Sequence, residues 1–431
     1  MTSNRLLFSL ALAQLLLGAR VVVRMLRGVG GRRVRTVAAS SRYAGEIAVV
    51  VPVLDEVGRL APCLEGLIAQ GVEVREILVV DGGSRDGTQK LVRAYGARDA
   101  RVRLVDASPV PPNWNGKVWG LQVGLERADP RAPWLLTIDA DVRPGAALAR
   151  SLLAHAQGEG VPALSVATQQ CLSGSLEALL HPSLLTTLVY RFGPPGRAAR
   201  RVGAAQANGQ CFLARRDALE RCNAFVVARA SVCEDITVAR SLVAAGYAVG
   251  FYEGCKGEDL VSVEMYTDWR DAWRNWPRSL PMRDQYAGLG GILSALGLCE
   301  VTLIQALPLP LCALLLARRP TPHPPTPLPR AGEPVPTPAE PLLRGVPEST
   351  AKRGAGGEDL LLAVNLLAVN GALAAVRLGV LAGTARAYRG VPPTYWLSPL
   401  CDLPVALRLW ASFFQRRHTW RGRVLVDRGI S

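Results

Sequence analysis

Three long apolar stretches most strongly limit what this chain can fold into. They are residues 6–23, 289–317 and 360–385. A bilayer core of about 30 Å is crossed by about 20 apolar residues in a helix, so each stretch can span or nearly span a membrane. The sequence therefore predicts an N-terminal transmembrane anchor at residues 1–27, a water-facing domain at 45–285, and further transmembrane segments at 289–317 and 360–386.

The first apolar stretch is predicted to be a retained anchor and not a cleaved signal peptide. No small-x-small cleavage site follows it, and the flank is rich in arginine instead. The arginines at its C-terminal side are Arg20, Arg24, Arg27, Arg32, Arg33 and Arg35. Basic residues collect on the cytoplasmic side of a span, so the domain that follows is predicted to be cytoplasmic.

The net charge of +15 does not indicate a nucleic-acid partner. The chain has no zinc-finger spacing, no aromatic-basic RNA motif and no basic helix typical of groove binding, and its basic residues are almost all arginine. Its four histidines are far apart and its nine cysteines include no Cys-x-x-Cys pair, so a zinc site is not expected. Scattered cysteines suit a reducing compartment.

Two segments near the C-terminus are predicted to lie outside any water-soluble core. Residues 318–358 are rich in proline and of low complexity, which is typical of a flexible or extended linker. Residues 394–415 are apolar but contain Pro399, Asp402 and Arg408. The charge rule favours an interfacial or re-entrant segment here, with a cytoplasmic tail, over a further full span.

The middle of the chain alternates short apolar runs with amphipathic ones. The runs rich in Val, Ile and Leu are 47–53, 76–80, 102–105 and 134–138. Between them, 56–70, 87–95 and 116–128 have helical patterns. This alternation predicts an α/β fold, with a mostly parallel sheet and helices on both faces.

Acidic residues follow the predicted strands where a ligand is expected. Asp55-Glu56, Asp81 and the pair Asp139 and Asp141 come directly after three of the apolar runs. Ligands of α/β sheets bind beyond the carboxyl ends of the strands. Two carboxylates one residue apart can both face one hard cation, and Mg²⁺ or Mn²⁺ takes oxygen ligands together with phosphate oxygens.

Four motifs follow one another in the chain: VPVLDE at 51–56, VDGGSRDGT at 80–88, DAD at 139–141 and CED at 233–235. In this order they resemble the inverting family 2 glycosyltransferases, which include ceramide glucosyltransferase, dolichol-phosphate mannose synthase and cellulose synthase. Three further strings are similar to bacterial carotenoid- and hopanoid-associated members: PNWNGKVW at 112–119, ANGQCFLARR at 207–216 and WRNWPRS at 273–279. The resemblance covers roughly residues 45–285.

The resemblance implies a GT-A-like (Rossmann-like) nucleotide-sugar domain with flanking transmembrane helices, in a bacterial inner membrane. Glu56 would lie near the ribose of the donor and Asp81 near its base. Lys117 would lie near the donor nucleotide. Asp139 and Asp141 would hold Mg²⁺ or Mn²⁺ against the diphosphate of a UDP- or GDP-sugar.

The same resemblance makes Asp235, after Glu234, the general base. An inverting single displacement needs a base on the acceptor hydroxyl and neutralisation of the departing diphosphate, but no covalent nucleophile. The Gln-x-x-Arg-Trp motif of polymerising members is missing. Arg274, Trp276 and Arg278 are the candidates to replace it at the donor, although Trp and Arg also suit an interfacial amphipathic helix.

The predicted activity is transfer of one sugar to a hydroxylated lipid, with a carotenoid first and a hopanoid or sphingolipid next. A processive polysaccharide synthase is disfavoured because the chain offers few spans. A dehydrogenase is disfavoured because the first strand leads into Asp55-Glu56 and not into a Gly-x-Gly-x-x-Gly turn. A dead scaffold would not need the carboxylates. The apolar run 176–192 is either a core helix or a membrane-facing segment beside the lipid.

Overall fold

The centre of the molecule is a mixed eight-stranded sheet. The computed structural model describes residues 2–254, 260–281, 290–317, 348–415, 417–420 and 423–426. The described strands are β1 (Ile47–Val53), β2 (Val74–Asp81), β3 (Val102–Asp106), β4 (Trp134–Ile138), β5 (Val142–Pro144), β6 (Ala163–Ala167), β7 (Gln169–Gln170), β8 (Arg197–Ala199), β9 (Cys211–Arg215), β10 (Val249–Glu253), β11 (Val261–Val263), β12 (Arg417–Trp420) and β13 (Arg423–Val426).

The order of strands in the large sheet is β3-β2-β1-β4-β9-β6-β10-β8. The pairs β1–β2, β2–β3 and β1–β4 are parallel, whereas β9 is antiparallel to both of its neighbours. A small second sheet has the order β5-β11-β7, and β12 and β13 form a hairpin. Because four of the strands run parallel from one edge, their carboxyl ends share one rim of the sheet.

The helices around this sheet are α2 (Leu60–Ile68), α3 (Thr88–Arg98), α4 (Gly116–Arg127), α5 (Leu148–Glu159), α6 (Ser175–Phe192), α7 (Arg216–Arg221), α8 (Ala224–Val227), α9 (Glu234–Ala244) and α10 (Trp269–Ser279). The rest are α1 (Thr2–Gly28), α11 (Gly290–Val301), α12 (Pro308–Ala317), α13 (Glu348–Thr384) and α14 (Asp402–Phe414).

Both faces of the sheet are covered, as the alternating pattern predicts. Along β1, Val49 and Val51 point into one hydrophobic core with α2 and α5, and Ala48 and Val50 point into another with α4 and α9. All four side chains are fully buried. A strand apolar at every position is therefore explained by helices on both sides, and the α/β prediction is confirmed.

The predicted strands are present, two of them with identical bounds and two slightly longer, at β2 and β3. The predicted helix 56–70 is shorter, because it begins only at Leu60. The preceding residues form a loop: Asp55 has a φ of 55°, and the Glu56 amide donates to Thr88 Oγ1 at 2.9 Å. Because the Glu56 amide is bound to the first residue of α3, this segment does not begin its own helix earlier.

Two described helices are long and apolar enough to cross a membrane, judged by length and composition. They are Asn4–Gly28 and Leu360–Ala387. They lie side by side, and Gln14 and Asn370 exchange hydrogen bonds of 2.9 and 3.1 Å between their side-chain amides. Both amides are fully buried, so each satisfies the other in a region that offers few polar partners.

A third candidate span is bent. Ile292–Ala306 and Pro308–Ala317 meet at 41°, which is either a broken span or a re-entrant loop. Thr302–Ala306 is a π-helical stretch directly before the proline. Proline and π-turns are both established causes of helix kinks. The predicted segment 289–317 is therefore helical in two pieces where it is described.

The predicted linker 318–358 differs from the structure at its end. Helix α13 begins at Glu348 and takes in 348–358, whereas residues 318–347 lie outside the described ones. Residues 394–415 form a 3₁₀ stretch, Pro393–Cys401, followed by α14. The 13 residues of α14 reach only about 20 Å, and the interfacial placement of this segment stays a prediction.

A buried polar network joins helix α6 to the outer apolar helices. Asp402 of α14 binds Arg377 Nε of α13 at 2.8 Å, and it also accepts from Ser183 Oγ of α6 at 2.6 Å and Gln305 Nε2 at 2.9 Å. The side chains of Arg377 and Asp402 are each 2% exposed. Four chain segments therefore meet at the carboxylate of Asp402.

Candidate active site

The strand-end carboxylates lie at one rim of the sheet. Val53 at the end of β1 pairs with Asp81 at the end of β2, and β4, beside β1, leads directly into Asp139. This rim opens into a cavity of about 1780 Å³. Lining residues that the sequence singles out are Glu56, Lys117, Asp139, Asp141, Glu234, Asp235, Trp276 and Arg278. The structure therefore brings most of the predicted site together.

Lys117 forms ion pairs with two carboxylates of the site. Its Nζ lies 2.7 Å from Asp139 Oδ1 and 2.7 Å from Glu234 Oε1. Asn115 caps the helix that holds it by accepting from the Lys117 amide at 3.0 Å. Burial lowers the pKa of Lys117, but the charges of Asp139 and Glu234 outweigh burial and hold the pKa above its ordinary value. Lys117 therefore stays cationic.

The negative charge of Asp141 is poorly compensated by neighbouring groups. Burial, reinforced by the negative charge of Asp139, raises the pKa of Asp141 to about 7. Its Oδ1 is buried and has no hydrogen-bond partner among the described residues. Burial also raises the pKa of Asp139, against the opposing charge of Lys117. An acidic pair with one unsatisfied oxygen favours a cation, so these residues fit a divalent metal ion.

The protein supplies only part of such a metal site. No group of three or more His, Cys, Asp or Glu side chains placed to hold a metal occurs in the described residues. Asp139, moreover, is bound to Lys117. A divalent ion here would therefore need phosphate or water oxygens in addition to Asp139 and Asp141, which is how Mg²⁺ commonly binds beside a phosphorylated substrate.

Asp235, the predicted general base, is held by a backbone amide and has a raised pKa. It lies in the first turn of α9, where its Oδ2 accepts from the Gly209 amide at 2.8 Å. Burial, with the neighbouring charge of Glu234, raises the pKa of Asp235 to about 7. A carboxylate with a pKa near the working pH can take a proton effectively.

Gly209 is a site residue that motif reasoning does not single out. A Cβ at this position would lie 3.1 Å from Lys117 Nζ, 3.2 Å from Glu234 Oε1 and 3.3 Å from Asp235 Cβ. Any side chain would push against all three charged residues. The string ANGQCFLARR holds this glycine, but only the fold shows that it faces the carboxylates.

Asp81 and Glu56 have different environments at the rim. Asp81 is 1% exposed and accepts from the amides of Gly83 and Ser84 and from Gln89 Nε2, the last at 2.7 Å. Its hydrogen bonds organise its own loop, while Gly82 faces the cavity. Glu56 lines the cavity and pairs with Arg59 at 3.3 Å. The donor-binding roles of both carboxylates stay predictions.

Helix α10 directs two of its three predicted residues to the cavity. Trp276 and Arg278 line it, whereas Arg274 is exposed and is not one of the lining residues. Burial lowers the pKa of Arg278. The helix also packs against α6 and α14, so it serves both as a cavity wall and as an amphipathic surface helix.

His181 is a second cavity residue that motif reasoning does not single out. It lies in α6, 1% exposed, with Nδ1 3.0 Å from Tyr388 Oη and its ring centroid 4.4 Å from that of Trp276. Its Nε2 is buried without a hydrogen-bond partner in the described part of the chain. Burial lowers the pKa of His181 to about 3, so the imidazole is neutral. The residue lines the cavity.

Comparison with known families finds a match within the central domain. Residues 48–222 match the family described as Glycosyl transferase family 2. The lipopolysaccharide core biosynthesis glycosyltransferase LpsC of Rhizobium meliloti (strain 1021) is 36% identical over 100 residues, which are 23% of this chain and 33% of LpsC. The chain thus spans about a third of the length of this curated relative.

Two solved structures are similar at low identity. The mannosyltransferase PcManGT from Pyrobaculum calidifontis, in complex with GDP-Man and Mn²⁺, is 16% identical with a TM-score of 0.45, over 95% of this chain and 97% of that one. Glucosyl-3-phosphoglycerate synthase from Mycobacterium tuberculosis, with Mn²⁺ and UDP, is 16% identical with a TM-score of 0.36, over 62% and 83%. We draw no conclusion about the site from likenesses this distant.

The family match and the topology together establish the class of fold. Residues 48–222 match the glycosyltransferase family 2 model, and the mixed sheet with helices on both faces is an α/β, GT-A-like fold. The finer resemblance to carotenoid- and hopanoid-associated enzymes stays a prediction, as do the roles of the individual site residues.

Proposed function

We propose that this protein transfers a single sugar from a nucleotide-sugar to a hydroxylated lipid, a hydroxylated carotenoid first, at the cytoplasmic face of a membrane. One observation supports this most directly: Asp139, Asp141, Glu234 and Asp235 share a cavity with apolar residues of α1 and α13. Charged groups suited to a sugar donor thus lie within one cavity whose other walls belong to the candidate membrane helices.

The donor end is formed by the rim of the sheet. Lys117 stays cationic beside Asp139 and is placed to pair with the phosphates of a UDP- or GDP-sugar. Asp139 and Asp141 would hold Mg²⁺ or Mn²⁺, which when bound would neutralise negative charge on the leaving diphosphate. Exchange of Lys117 from the Asp139 carboxylate to a phosphate oxygen would free that carboxylate for the cation.

The acceptor end is served by Asp235. Its carboxylate takes the proton from the acceptor hydroxyl while that oxygen bonds to the anomeric carbon, and the bond to the nucleoside diphosphate breaks. A single displacement of this kind inverts the anomeric centre and needs no enzyme nucleophile. The Gly209 amide, 2.8 Å from Oδ2, orients the carboxylate and leaves it able to accept the proton.

Reconstituted transfer tests the proposal. The purified chain in liposomes is given UDP-glucose or GDP-mannose with Mn²⁺, and the liposomes contain zeaxanthin, bacteriohopanetetrol or ceramide. Zeaxanthin is expected to gain one hexose by mass spectrometry, and addition of EDTA is expected to stop the reaction. Product on ceramide or bacteriohopanetetrol alone would overturn the carotenoid assignment.

A matched variant separates chemistry from binding. Asp235→Asn keeps the shape of the side chain but cannot take the proton, so transfer is expected to fall by about 100- to 10,000-fold. Binding of UDP or GDP with Mn²⁺, measured by calorimetry, is expected to persist. Full transfer by this variant would place the base elsewhere, and a wild-type chain that binds neither nucleotide would overturn the proposed function as a whole.

A further inference from the structure

The cavity extends beyond the carboxylates into an apolar arm between three helices. Its walls include Val22 and Leu26 of α1, Leu185 and Val189 of α6, and Val376 and Val380 of α13. Two of these helices are the candidate membrane spans. Leu26 lines the cavity and is nevertheless 64% exposed, so the arm opens at the surface that hydrocarbon would cover.

The position of the arm along the two spans agrees with the depth of an interface. Its residues lie in the last turns of α1 and α13, just before Arg32 and Arg33 on one side and Arg386 on the other. Arg33 and Arg386 pair with Glu253 at 3.2 and 2.7 Å. Arginines are favoured where a span leaves the bilayer, so the arm would open at the inner edge of the hydrocarbon region.

Glycines widen the arm on the α13 side. Gly379 and Gly383 line the cavity, and beyond its chain neighbours and the adjacent helix backbone a Cβ at either would meet no described atom within 4 Å. Gly371 of the same helix also has open space around it but does not line the cavity. Side chains at 379 and 383 would therefore narrow the arm, whereas one at 371 would project elsewhere.

A residue with an unsatisfied polar atom lines the same cavity as the apolar arm and the carboxylates. His181 Nε2 is buried without a hydrogen-bond partner in the described residues, and Tyr388 holds the other ring nitrogen. His181 and Asp235 line the same cavity. A hydroxyl group moving through this cavity can hydrogen-bond to the free ring nitrogen, which an apolar chain alone would leave unsatisfied.

The cavity is large enough for two substrates. Ligand pockets are typically about 300–1,000 Å³, and this one is about 1780 Å³. Its walls combine the charged residues of the rim with apolar residues of α1 and α13, and apolar walls offer a nucleotide-sugar no suitable partners. A long apolar chain with a polar end matches both the walls and the unsatisfied nitrogen.

We infer that this apolar arm is a lateral portal through which a long-chain lipid carrying a terminal hydroxyl enters between α1 and α13, hydroxyl first, past His181 to Asp235. The inference rests on the proposed function, because it names the route of the acceptor in that reaction. It adds that the acceptor comes sideways from the hydrocarbon region and that Gly379 and Gly383 keep its route open.

Larger side chains introduced at Gly379 and Gly383 test the portal, with zeaxanthin as the probe. The double variant Gly379→Leu/Gly383→Leu is compared with Gly371→Leu, which places the same side chain on the same helix outside the cavity. Zeaxanthin binding is followed by its induced circular dichroism in detergent, and nucleotide binding by calorimetry with UDP or GDP and Mn²⁺. Transfer to zeaxanthin in liposomes is measured in parallel.

The double variant is expected to bind and glycosylate zeaxanthin at least about tenfold more weakly, while nucleotide binding changes by less than about twofold. Gly371→Leu is expected to match the wild type in all three measurements. If the double variant bound zeaxanthin as tightly as the wild type, the portal would be wrong. It would also be wrong if Gly371→Leu lost as much zeaxanthin binding as the double variant.

A second variant keeps the test decisive if the leucine pair does not fold. Leu26→Trp narrows the arm from α1 at an exposed position, and it is expected to weaken zeaxanthin binding in the same way. The two failures can be told apart. A wild-type chain that neither transfers sugar nor binds nucleotide would contradict the proposed function. Zeaxanthin binding that is unchanged by all of these substitutions would contradict the portal.

Discussion

Removal of the negative charge at Asp141 should stabilise the ligand-free protein and abolish its activity. Asp141 Oδ1 is buried without a partner among the described residues, and burial together with Asp139 raises the pKa of Asp141 to about 7. The folded protein therefore holds an ionised carboxylate at a cost above that pH. Asp141→Asn keeps the size of the side chain and removes the charge.

The size of the effect follows from the proton affinity. Raising a pKa from 3.8 to about 7 corresponds to about 4 kcal/mol, which is an upper limit on the stability gained by Asp141→Asn at pH 8. Because the folded pKa is the higher one, the wild type loses this stability as the pH rises from about 4 to about 7. The gain at pH 5 should be only about 1.5 kcal/mol.

Thermal unfolding in detergent measures this difference. A ceiling of about 4 kcal/mol corresponds to a Tm increase of at most roughly 8–16 °C at pH 8 for a domain of this size. Addition of Mn²⁺ at pH 8 should raise the Tm of the wild type but not that of Asp141→Asn, because a ligand stabilises only the form that binds it. The variant should show no sugar transfer.

The control is Asp106, a carboxylate whose pKa is lowered and not raised. Asp106, at the end of β3, is exposed and accepts from the Ser108 hydroxyl and amide, and these hydrogen bonds lower the pKa of Asp106. Asp106→Asn should give no gain in Tm at pH 8. If Asp141→Asn had the same pH dependence of Tm as the wild type, or melted lower at pH 8, the assignment of an uncompensated charge would be wrong.

Three further predictions concern the base, its neighbouring glycine and the buried ion pair. Since Asp235 must be deprotonated to act and its pKa is about 7, kcat/KM should rise with pH through that region; a flat profile would argue against its role as base. Gly209→Ala should displace Lys117 Nζ, 3.1 Å from the new Cβ, and lower kcat by about tenfold; steady-state kinetics with unchanged activity would contradict this geometry. Arg377→Met leaves Asp402 charged and buried and should destabilise the protein by about 3–5 kcal/mol, whereas the added change Asp402→Leu should recover much of that loss in a Tm measurement. A single variant as stable as the wild type would show that the pair is not desolvated.

The local sequence pattern predicts much of the central α/β domain. The apolar strands β1 and β4 have their predicted bounds, because a run of Val, Ile and Leu that is buried on both faces is visible in consecutive residues. The acidic residues that follow β1, β2 and β4 were predictable for a related reason, since parallel strands carry their carboxyl ends to one rim. The start of α2 was not, because the loop before it is tied to Thr88.

Contacts between residues far apart in the sequence could be found only from the tertiary structure. By itself the sequence determined the α/β domain, the acidic rim and the apolar lengths of the outer helices, since these depend on periodicity and composition. The tertiary structure decided that Lys117 joins Asp139 to Glu234, that Gly209 faces them, and that His181 borders the same cavity. Such distances depend on how whole elements pack, and no spacing along the chain encodes them. The same reason explains why Arg274 is exposed while Trp276, two residues later, reaches the cavity.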